Sequence, residues 1–455
     1  MSSIVEIAKQ GLGGLLRAEG LPCSCGRTHR TDLRELVIKS GALQETPEVV
    51  KRYGGSRVFI LADKNTYAVA GAEVANLLSR AGLEYSVFVF GDDYVQPTDH
   101  SVEKVLAGFD ASCDMILGVG SGTINDIGKL SSKELGVKYI NVATAPSMDG
   151  FVSNTSSMVM KGVKVSVDST VPLAVIGDLD ILAAAPERLL QAGFGDILAK
   201  YTSICEWRIS HLVTGEYYCE EIAELMRMAV RNCVANVEGL ARRDKEAVRY
   251  VMESLILSGI AMSFAGFTRP ASGVEHYFSH TWDMRYLEFH TPKDFHGIQC
   301  GIGTVLTVEI YDKIKQLRPD REKALAYVDA FDLPSWHQFV RSYLGKSGEG
   351  LVEQEKKENK YSREGHQKRL EVLVNNWDQI LQIVSEELPE VSEVRRYLEI
   401  VGAPTAPTQI GISYEDTRKA LMVSKDIRNK YNASWLLWDL GLLDEVAQSL
   451  WQNQA

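Results

Sequence analysis

The chain has 455 residues, 45% of them hydrophobic and 24% charged, with a net charge of −11 at neutral pH. That length exceeds what one hydrophobic core usually organises, so two domains are expected, and the acidic balance argues against nucleic-acid partners. The N-terminus carries no legible secretory signal and no apolar run approaches the roughly 18 residues of a membrane span, while seven cysteines make no disulfide framework; a reducing cytoplasm is the expected setting.

The first unusual stretch is Cys23-Ser24-Cys25-Gly26, with His29 close behind. A structural zinc site would need a fourth ligand and usually a wider cysteine spacing, so a loop carrying two ordinary thiols is the expectation. From Ser56 an α/β pattern begins. SRVFILAD (56–63) reads as a buried parallel strand ending in a carboxylate, Ala68–Ala81 has helical spacing, and EYSVFVFG (84–91) is the next strand. Asp114–Leu117 is a strand, Gly118–Gly122 a glycine-rich loop, Thr123 the opening of a helix and Val137–Val142 a further strand. A strand, a glycine loop and a helix N-terminus make an anion site, because backbone N–H groups converge there and the helix dipole favours phosphate. The spacing is G-x-G-x-G rather than the usual dinucleotide fingerprint, and the acidic Asp63 precedes the loop instead of following it.

MVMKGVKVSV reads as a hairpin around Lys161-Gly162, and PLAVIGDLD (172–180) as the last strand. Beyond it the periodicity is helical, over Glu216–Arg242, Glu246–Phe264, Ile298–Leu317, Gln367–Glu386 and Tyr414–Lys430. The expected division is an α/β domain over 1–180 and an all-α domain over 181–455. Ser347–Lys368, crowded with Glu, Lys and Gln, reads as a solvated excursion.

Four of the nine histidines lie between Arg269 and Gly297, in RPASGVEHYFSHTWDMRYLEFHTPKDFHG. His276 and His280 are four apart, so a helix would project both from one face; His290 and His296 fall beside Pro292 and Gly297, at a turn and a helix entrance. Imidazole is the commonest ligand of a catalytic divalent metal, and such a site takes three protein ligands with a position left open. The alternative is that these are ordinary exposed or hydrogen-bonded histidines. Asp196 follows Gly193-Phe194-Gly195 and is read as entering a helix over Ile197–Trp207. It is either an N-cap or a hard oxygen ligand joining two histidines.

GVGSGTINDIGK, ATAPSMDGFVS, AGFGDILAK, RPASGVEHYFSH and FHG, in that order, resemble the sn-glycerol-1-phosphate dehydrogenase family, and within it the bacterial, AraM-like branch. That family belongs to the iron-alcohol-dehydrogenase and dehydroquinate-synthase-like group, and the resemblance runs from about Cys23 to the C-terminal YNASWLLWDLGLLDE. It implies an N-terminal α/β nucleotide-binding domain and an all-α domain holding a divalent metal, nickel or zinc. Asp196, His276 and His296 match the metal ligands. Asp63 matches the adenosine-ribose contact, and Gly120, Ser121, Gly122, Thr123 and Ile124 match the diphosphate loop. Thr144, Ala145, Pro146, Ser147 and Ser153 match further contacts to NAD(H) or NADP(H), and Asp149 and His280 match substrate contacts; Asp196, a metal ligand, also counts among the substrate contacts. His290 has no assigned role.

The resemblance implies a homodimeric enzyme acting on dihydroxyacetone phosphate and sn-glycerol 1-phosphate. Three other readings use the same parts. A glycerol dehydrogenase would act on an unphosphorylated polyol, and phosphate-binding cations separate the two, with Lys161, Lys164 and Arg269 available. A sugar-phosphate cyclase of the dehydroquinate synthase type would return its NAD unchanged. A non-enzymatic metal- or nucleotide-binding regulator would use the site without turnover.

Overall fold

The computed structural model describes residues 3–92 and 94–452. At its centre is a six-stranded sheet of β1 (Glu35–Lys39), β2 (Arg57–Asp63), β3 (Glu84–Phe90), β4 (Met115–Val119), β5 (Lys138–Ala143) and β6 (Ala174–Asp178). The spatial order is β1-β6-β5-β4-β2-β3 and every pairing is parallel. Alternation along the central strands decides which side chain feeds which face. Val58, Ile60, Met115 and Leu117 join the helix residues Val74 and Leu78 in one core, while Phe59, Leu61 and Ile116 join Ile124, Ile127 and Tyr139 in another. Both faces are covered, so these strands read as continuous apolar runs. The edge strand β1 gives no such signal, since only Val37 among its residues is buried.

The chain divides into two compact units. The first comprises 1–161, 165–197 and 219–268, and the second 162–164, 198–218 and 269–455. Strands of the sheet end at Asp178, but the units do not divide at residue 180. The helices α2 (Glu187–Leu198, all but its last residue), α4 (Glu220–Ala235) and α5 (Lys245–Ala265) belong with the α/β unit. The reason lies in packing. Ser254 Oγ of α5 donates to Ala229 O of α4, and Gly259 of α5 is pressed so closely on the turn Gly150–Val152 that a Cβ would stand 2.5 Å from Val152 Cγ2. α5 is also the one helix among the described residues long and apolar enough for a membrane span, contrary to the expectation that no segment approaches one. Its apolar stretch is 78% buried inside the protein, so it is a core helix.

The second unit is helical. It contains α3 (Lys200–Thr214), α6 (Val274–Phe289), α7 (His296–Ile314) and helices that continue to Ser449. The charged stretch 347–368 is not a solvated excursion: Lys346–Glu358 and Arg363–Asn375 are helices. Leu351, Val352, Glu355 and His366 are buried, and His337 Nε2 lies 2.7 Å from Glu355 Oε2. Most of its charges occupy the outer helical faces, Glu355 and Lys360 excepted, and helical spacing hides the buried stripe beneath them.

Candidate active site

In the first unit, residues expected to contact a dinucleotide gather at the C-terminal end of the parallel sheet, the usual ligand edge of such sheets. Asp63 ends β2, Gly120-Ser121 follows β4, and Thr144–Ser147 follows β5. β4 runs through Gly118 and Val119, so the loop is shorter than expected, and α1 (Gly122–Leu135) begins one residue earlier. Gly122, Thr123 and Ile124 form the first turn of α1, where N–H groups have no intrahelical acceptor and can serve an anion. A Cβ on Gly120 would stand 2.6 Å from Ile124 Cβ, so the turn itself requires glycine there. The two loops are tied together: Asn141 Nδ2 donates to Gly118 O (3.1 Å) and Gly120 O (3.3 Å), and Ser121 Oγ donates to Ala145 O at 2.9 Å.

Asp63 is also an N-cap. Its Oδ1 accepts from Thr66 N at 2.8 Å, and its own N–H donates to Thr66 Oγ1 in a capping box. Ser153 is buried, and its hydroxyl is engaged inside the unit, donating to Thr155 O at 2.7 Å and accepting from Lys129 Nζ at 3.2 Å. Lys129 is itself fully buried beside Asp126 (3.3 Å) and donates to Gly150 O and Thr155 O. Burial pushes its ammonium pKa down, with Asp126 opposing.

Asp196 corrects the sequence reading. It does not cap a helix entrance; it lies in the last turns of α2, followed at Lys200 by α3. Gly193, one turn earlier, explains the placement, because a Cβ there would collide with the carbonyl oxygen of Pro146. This close approach lays α2 on the 146–149 loop. Asp149 N donates to Asp196 Oδ2 at 2.9 Å, and Asp149 Oδ2 accepts from Ser258 Oγ at 2.8 Å. Both carboxylates are buried.

In the second unit, α6 presents His276 and His280, and His296 opens α7. The rings of His276 and His296 lie 5.1 Å apart, and that of His280 lies 6.3 Å and 6.0 Å from the two. Ligand atoms of His276, His296 and Cys300 fall within 4.8 Å of one another. Each of the two histidines has one nitrogen held from behind: His276 Nδ1 by Glu275 Oε1 (2.9 Å) and His296 Nδ1 by Ser279 Oγ (3.0 Å). With Nδ1 so held, Nε2 of each is the nitrogen a metal would take, the usual support of a metal-bound imidazole, and His296 Nε2 also lies 3.5 Å from Cys300 Sγ. Gln299 Nε2 extends the support, donating to Ser279 Oγ and to Asp283 Oδ1 at 3.1 Å each. Behind Glu275 sits a second buried carboxyl, Glu206, which accepts from Val274 N at the start of α6. Burial and the Glu275 charge push Glu206 up to about 7. Burial opposes ionisation of Glu275 as well, but His276, Gly273 N–H and Thr202 Oγ1 together hold it below the ordinary carboxylate range.

His280 has no such support, and its Nδ1 is buried without a hydrogen-bond partner among the described residues. Burial, reinforced by nearby Lys164 and Arg428, holds its pKa well below the ordinary imidazole value, so the ring is neutral. His290 is exposed in a left-handed conformation at the C-cap of α6, its ring edge-on to Tyr286, and it is not part of the clustered ligand atoms.

Residues 37–186 match the iron-containing alcohol dehydrogenase family. A glycerol-1-phosphate dehydrogenase (NAD(P)+) of Halalkalibacterium halodurans is 30% identical over 90% of this chain and 93% of its own. The chain belongs to the glycerol-1-phosphate dehydrogenase family. An archaeal relative of that name, from Methanosarcina mazei, is 35% identical over 66% of this chain and 85% of its own. Among solved structures, glycerol dehydrogenase from Schizosaccharomyces pombe superposes with a TM-score of 0.59 at 15% identity, covering 93% of this chain and 91% of that one. Maleylacetate reductase from Agrobacterium tumefaciens gives 0.60 at 13% identity, covering 92% and 97%. At such identities these two show the shared fold.

Within this member of the glycerol-1-phosphate dehydrogenase family, the sequence reading missed four residues around the histidines: Cys300, Glu275, Ser279 and Gln299. Cys300 is one helical turn beyond His296, a spacing that was legible, but a lone cysteine carries no signal of its own. Glu275 adjoins His276 in sequence, and nothing in that adjacency says its carboxylate turns back to the imidazole. Ser279 and Gln299 were unmarked. The three candidate cations also separate: Arg269 is wholly buried, donating to Glu206 O at 2.9 Å and to Tyr431 O, which makes it a packing anchor. Lys164 is ion-paired with Asp283, and Lys161 is exposed at the hairpin turn.

Proposed function

We propose that the protein reversibly reduces dihydroxyacetone phosphate to sn-glycerol 1-phosphate with NAD(H) or NADP(H), at a divalent metal held by Asp196, His276 and His296. The observation that carries this reading is the pair of histidines whose Nδ1 atoms are held by Glu275 and Ser279, with ligand atoms of His276, His296 and Cys300 gathered within 4.8 Å of one another. The names of the relatives supply the substrate. The donor set, two imidazoles and a carboxylate, suits nickel or zinc and leaves positions open for a substrate oxygen. When bound, the metal supplies Lewis-acid polarisation of the ketone and the nicotinamide supplies the hydride.

The chain's own residues do the rest. Asp149 N–H fixes the carboxylate of Asp196 from one side. The first turn of α1 offers N–H groups to the dinucleotide diphosphate, and Asp63 turns a carboxylate to the ribose 2′-hydroxyl, which disfavours a 2′-phosphate. His280, neutral and with an unpartnered Nδ1, is suited to hold a proton near the substrate oxygen and to orient the substrate. Asp149 is the second substrate contact. A homodimer in the cytoplasm is the proposed setting. Two-fold dimers are the commonest closed assembly, and none of the seven cysteines is in a disulfide.

The test is reconstitution. Metal-free protein is loaded with nickel, zinc or iron, and NADH oxidation is followed with dihydroxyacetone phosphate or with dihydroxyacetone. The expected result is metal-dependent oxidation with the phosphate ester, giving the sn-1 product. Preference for the unphosphorylated ketone would establish the glycerol dehydrogenase reading instead, and substrate turnover without net NADH oxidation would establish the cyclase.

A further inference from the structure

A second cluster of metal-ligating side chains lies in the first unit, and the proposed dehydrogenase chemistry does not use it. Residues Leu21–Pro22 and Thr28–His29 pair as a short antiparallel ribbon, with Leu21 opposite His29. The turn between them is closed by Cys23 N donating to Arg27 O and Gly26 N donating to Cys23 O, both at 3.0 Å. Gly26 has φ +84°, a conformation that glycine adopts without strain, and it curls the chain so that Cys23 and Cys25 share one side. The fourth donor comes from far along the chain: Cys219 is the N-cap of α4. The ligand atoms of Cys23, Cys25, His29 and Cys219 all lie within 4.8 Å of one another.

The spacings match a tetrahedron. Zinc–sulfur bonds of about 2.3 Å and zinc–nitrogen bonds of about 2.0 Å imply sulfur–sulfur edges near ~3.8 Å and sulfur–nitrogen edges near ~3.5 Å. Cys23 Sγ and Cys219 Sγ are 3.5 Å apart, Cys25 Sγ lies 3.3 Å from His29 Nε2, and Cys219 Sγ lies 3.7 Å from the same nitrogen. His29 is oriented as a ligand. Its Nδ1 is 2.8 Å from Phe264 O at the end of α5, so it carries the proton and donates, leaving Nε2 with its lone pair toward the three sulfurs. The Phe264 ring stacks on the imidazole with centroids 5.6 Å apart, and the ring of His29 is almost wholly buried.

We propose that Cys23, Cys25, His29 and Cys219 bind one zinc ion in a closed, four-ligand structural site that ties the N-terminal ribbon to α4 and α5. Three thiolates and one imidazole fill the coordination of zinc and leave no position for substrate, so the role is in folding. The wider cysteine spacing common in zinc sites is unnecessary here, because the glycine turn supplies the curvature.

The test uses the full chain purified under reducing conditions without added metal, and its Cys25→Ser and Cys219→Ser variants. Zinc is counted by elemental analysis after exhaustive dialysis against EDTA. The expected result is one EDTA-resistant zinc per wild-type chain, released by a mercurial thiol reagent and absent from both variants, with a lower Tm on its loss. Because a variant can fail to fold, wild-type protein is also refolded with cobalt. Three sulfur ligands give intense thiolate-to-cobalt charge transfer with tetrahedral d–d bands, and Cys300→Ser leaves these unchanged. Wild-type protein that keeps no zinc and gives only a weak, single-thiolate cobalt spectrum overturns the proposal. So does an intact mass lower by two hydrogens with Cys23 joined to Cys219 in the protein as purified.

Discussion

The two clusters of potential metal ligands in this protein invite comparison, because they are built on opposite plans. The cluster in the second unit gathers His276, His296 and Cys300 from 25 consecutive positions on two successive helices. Its imidazoles are held from behind by Glu275 and Ser279, and beside them stands His280, unsupported and neutral. The cluster in the first unit draws on a turn at residues 23–29 and on Cys219, far along the chain, and offers four donors, with the Glu221 carboxylate accepting from Cys23 Sγ at its edge. Support from behind with an open position suits turnover; four soft ligands with none open suit structure. Donor softness and completeness, more than the number of ligands in the sequence, separate a reacting metal from a holding one.

The comparison breaks most visibly at His276. His276→Ala should lose metal and activity together, with turnover down on the order of 1,000-fold or more, because a polarising ion supplies several kcal/mol to such a reaction. Metal analysis after dialysis, with the EDTA-resistant zinc counted separately, checks it. If metal content at the open site is unchanged, His276 is not a ligand. His280→Ala should keep stoichiometric metal and bind NADH, yet turn over about 100-fold more slowly, in the range of a lost acid–base group. Equal metal loss in the two variants would make His280 a ligand and undo the division of labour.

A subtler change sharpens the contrast. Glu275→Gln removes the charge behind His276 while keeping its shape, and should weaken metal affinity about 10- to 100-fold, as changes to such outer partners do. Titration of metal-free protein with nickel reads this directly. The thiolate cluster should be indifferent to the same substitution. The smallest expected effect is at Asp63, the last residue of β2. Asp63→Ala should narrow the preference for NADH over NADPH by about 10-fold, the worth of roughly 1.4 kcal/mol. Because Asp63 also caps the turn at Thr66, Tm is measured alongside, with a loss of about 1 kcal/mol expected.

Much of this molecule was legible one residue at a time. The buried parallel strands at 57–63, 84–90 and 115–119 announce themselves as short apolar runs, since both faces of the sheet are covered. The hairpin at Lys161-Gly162 and the helical second half follow from turn chemistry and periodicity. The paired faces of His276 and His280 follow from the 3.6-residue repeat. These are local properties, carried by neighbours in the chain.

What the tertiary structure decided is wherever a partner comes from elsewhere. The edge strand at 35–39 escaped notice because an edge buries little and so shows little pattern. The charged stretch 347–368 hides its buried residues under exposed ones. Asp196 looked like a cap because Gly193 and Gly195 resembled a loop. Gly193 is helical instead, and its missing side chain lets α2 rest on Pro146 and bring the carboxylate to Asp149 N. Cys23 and Cys25 looked like two ordinary thiols for the same reason. Their sequence holds half of a tetrahedron and His29 a third donor, and only the packing of α4 against the N-terminal ribbon brings Cys219, nearly two hundred residues later, to complete it.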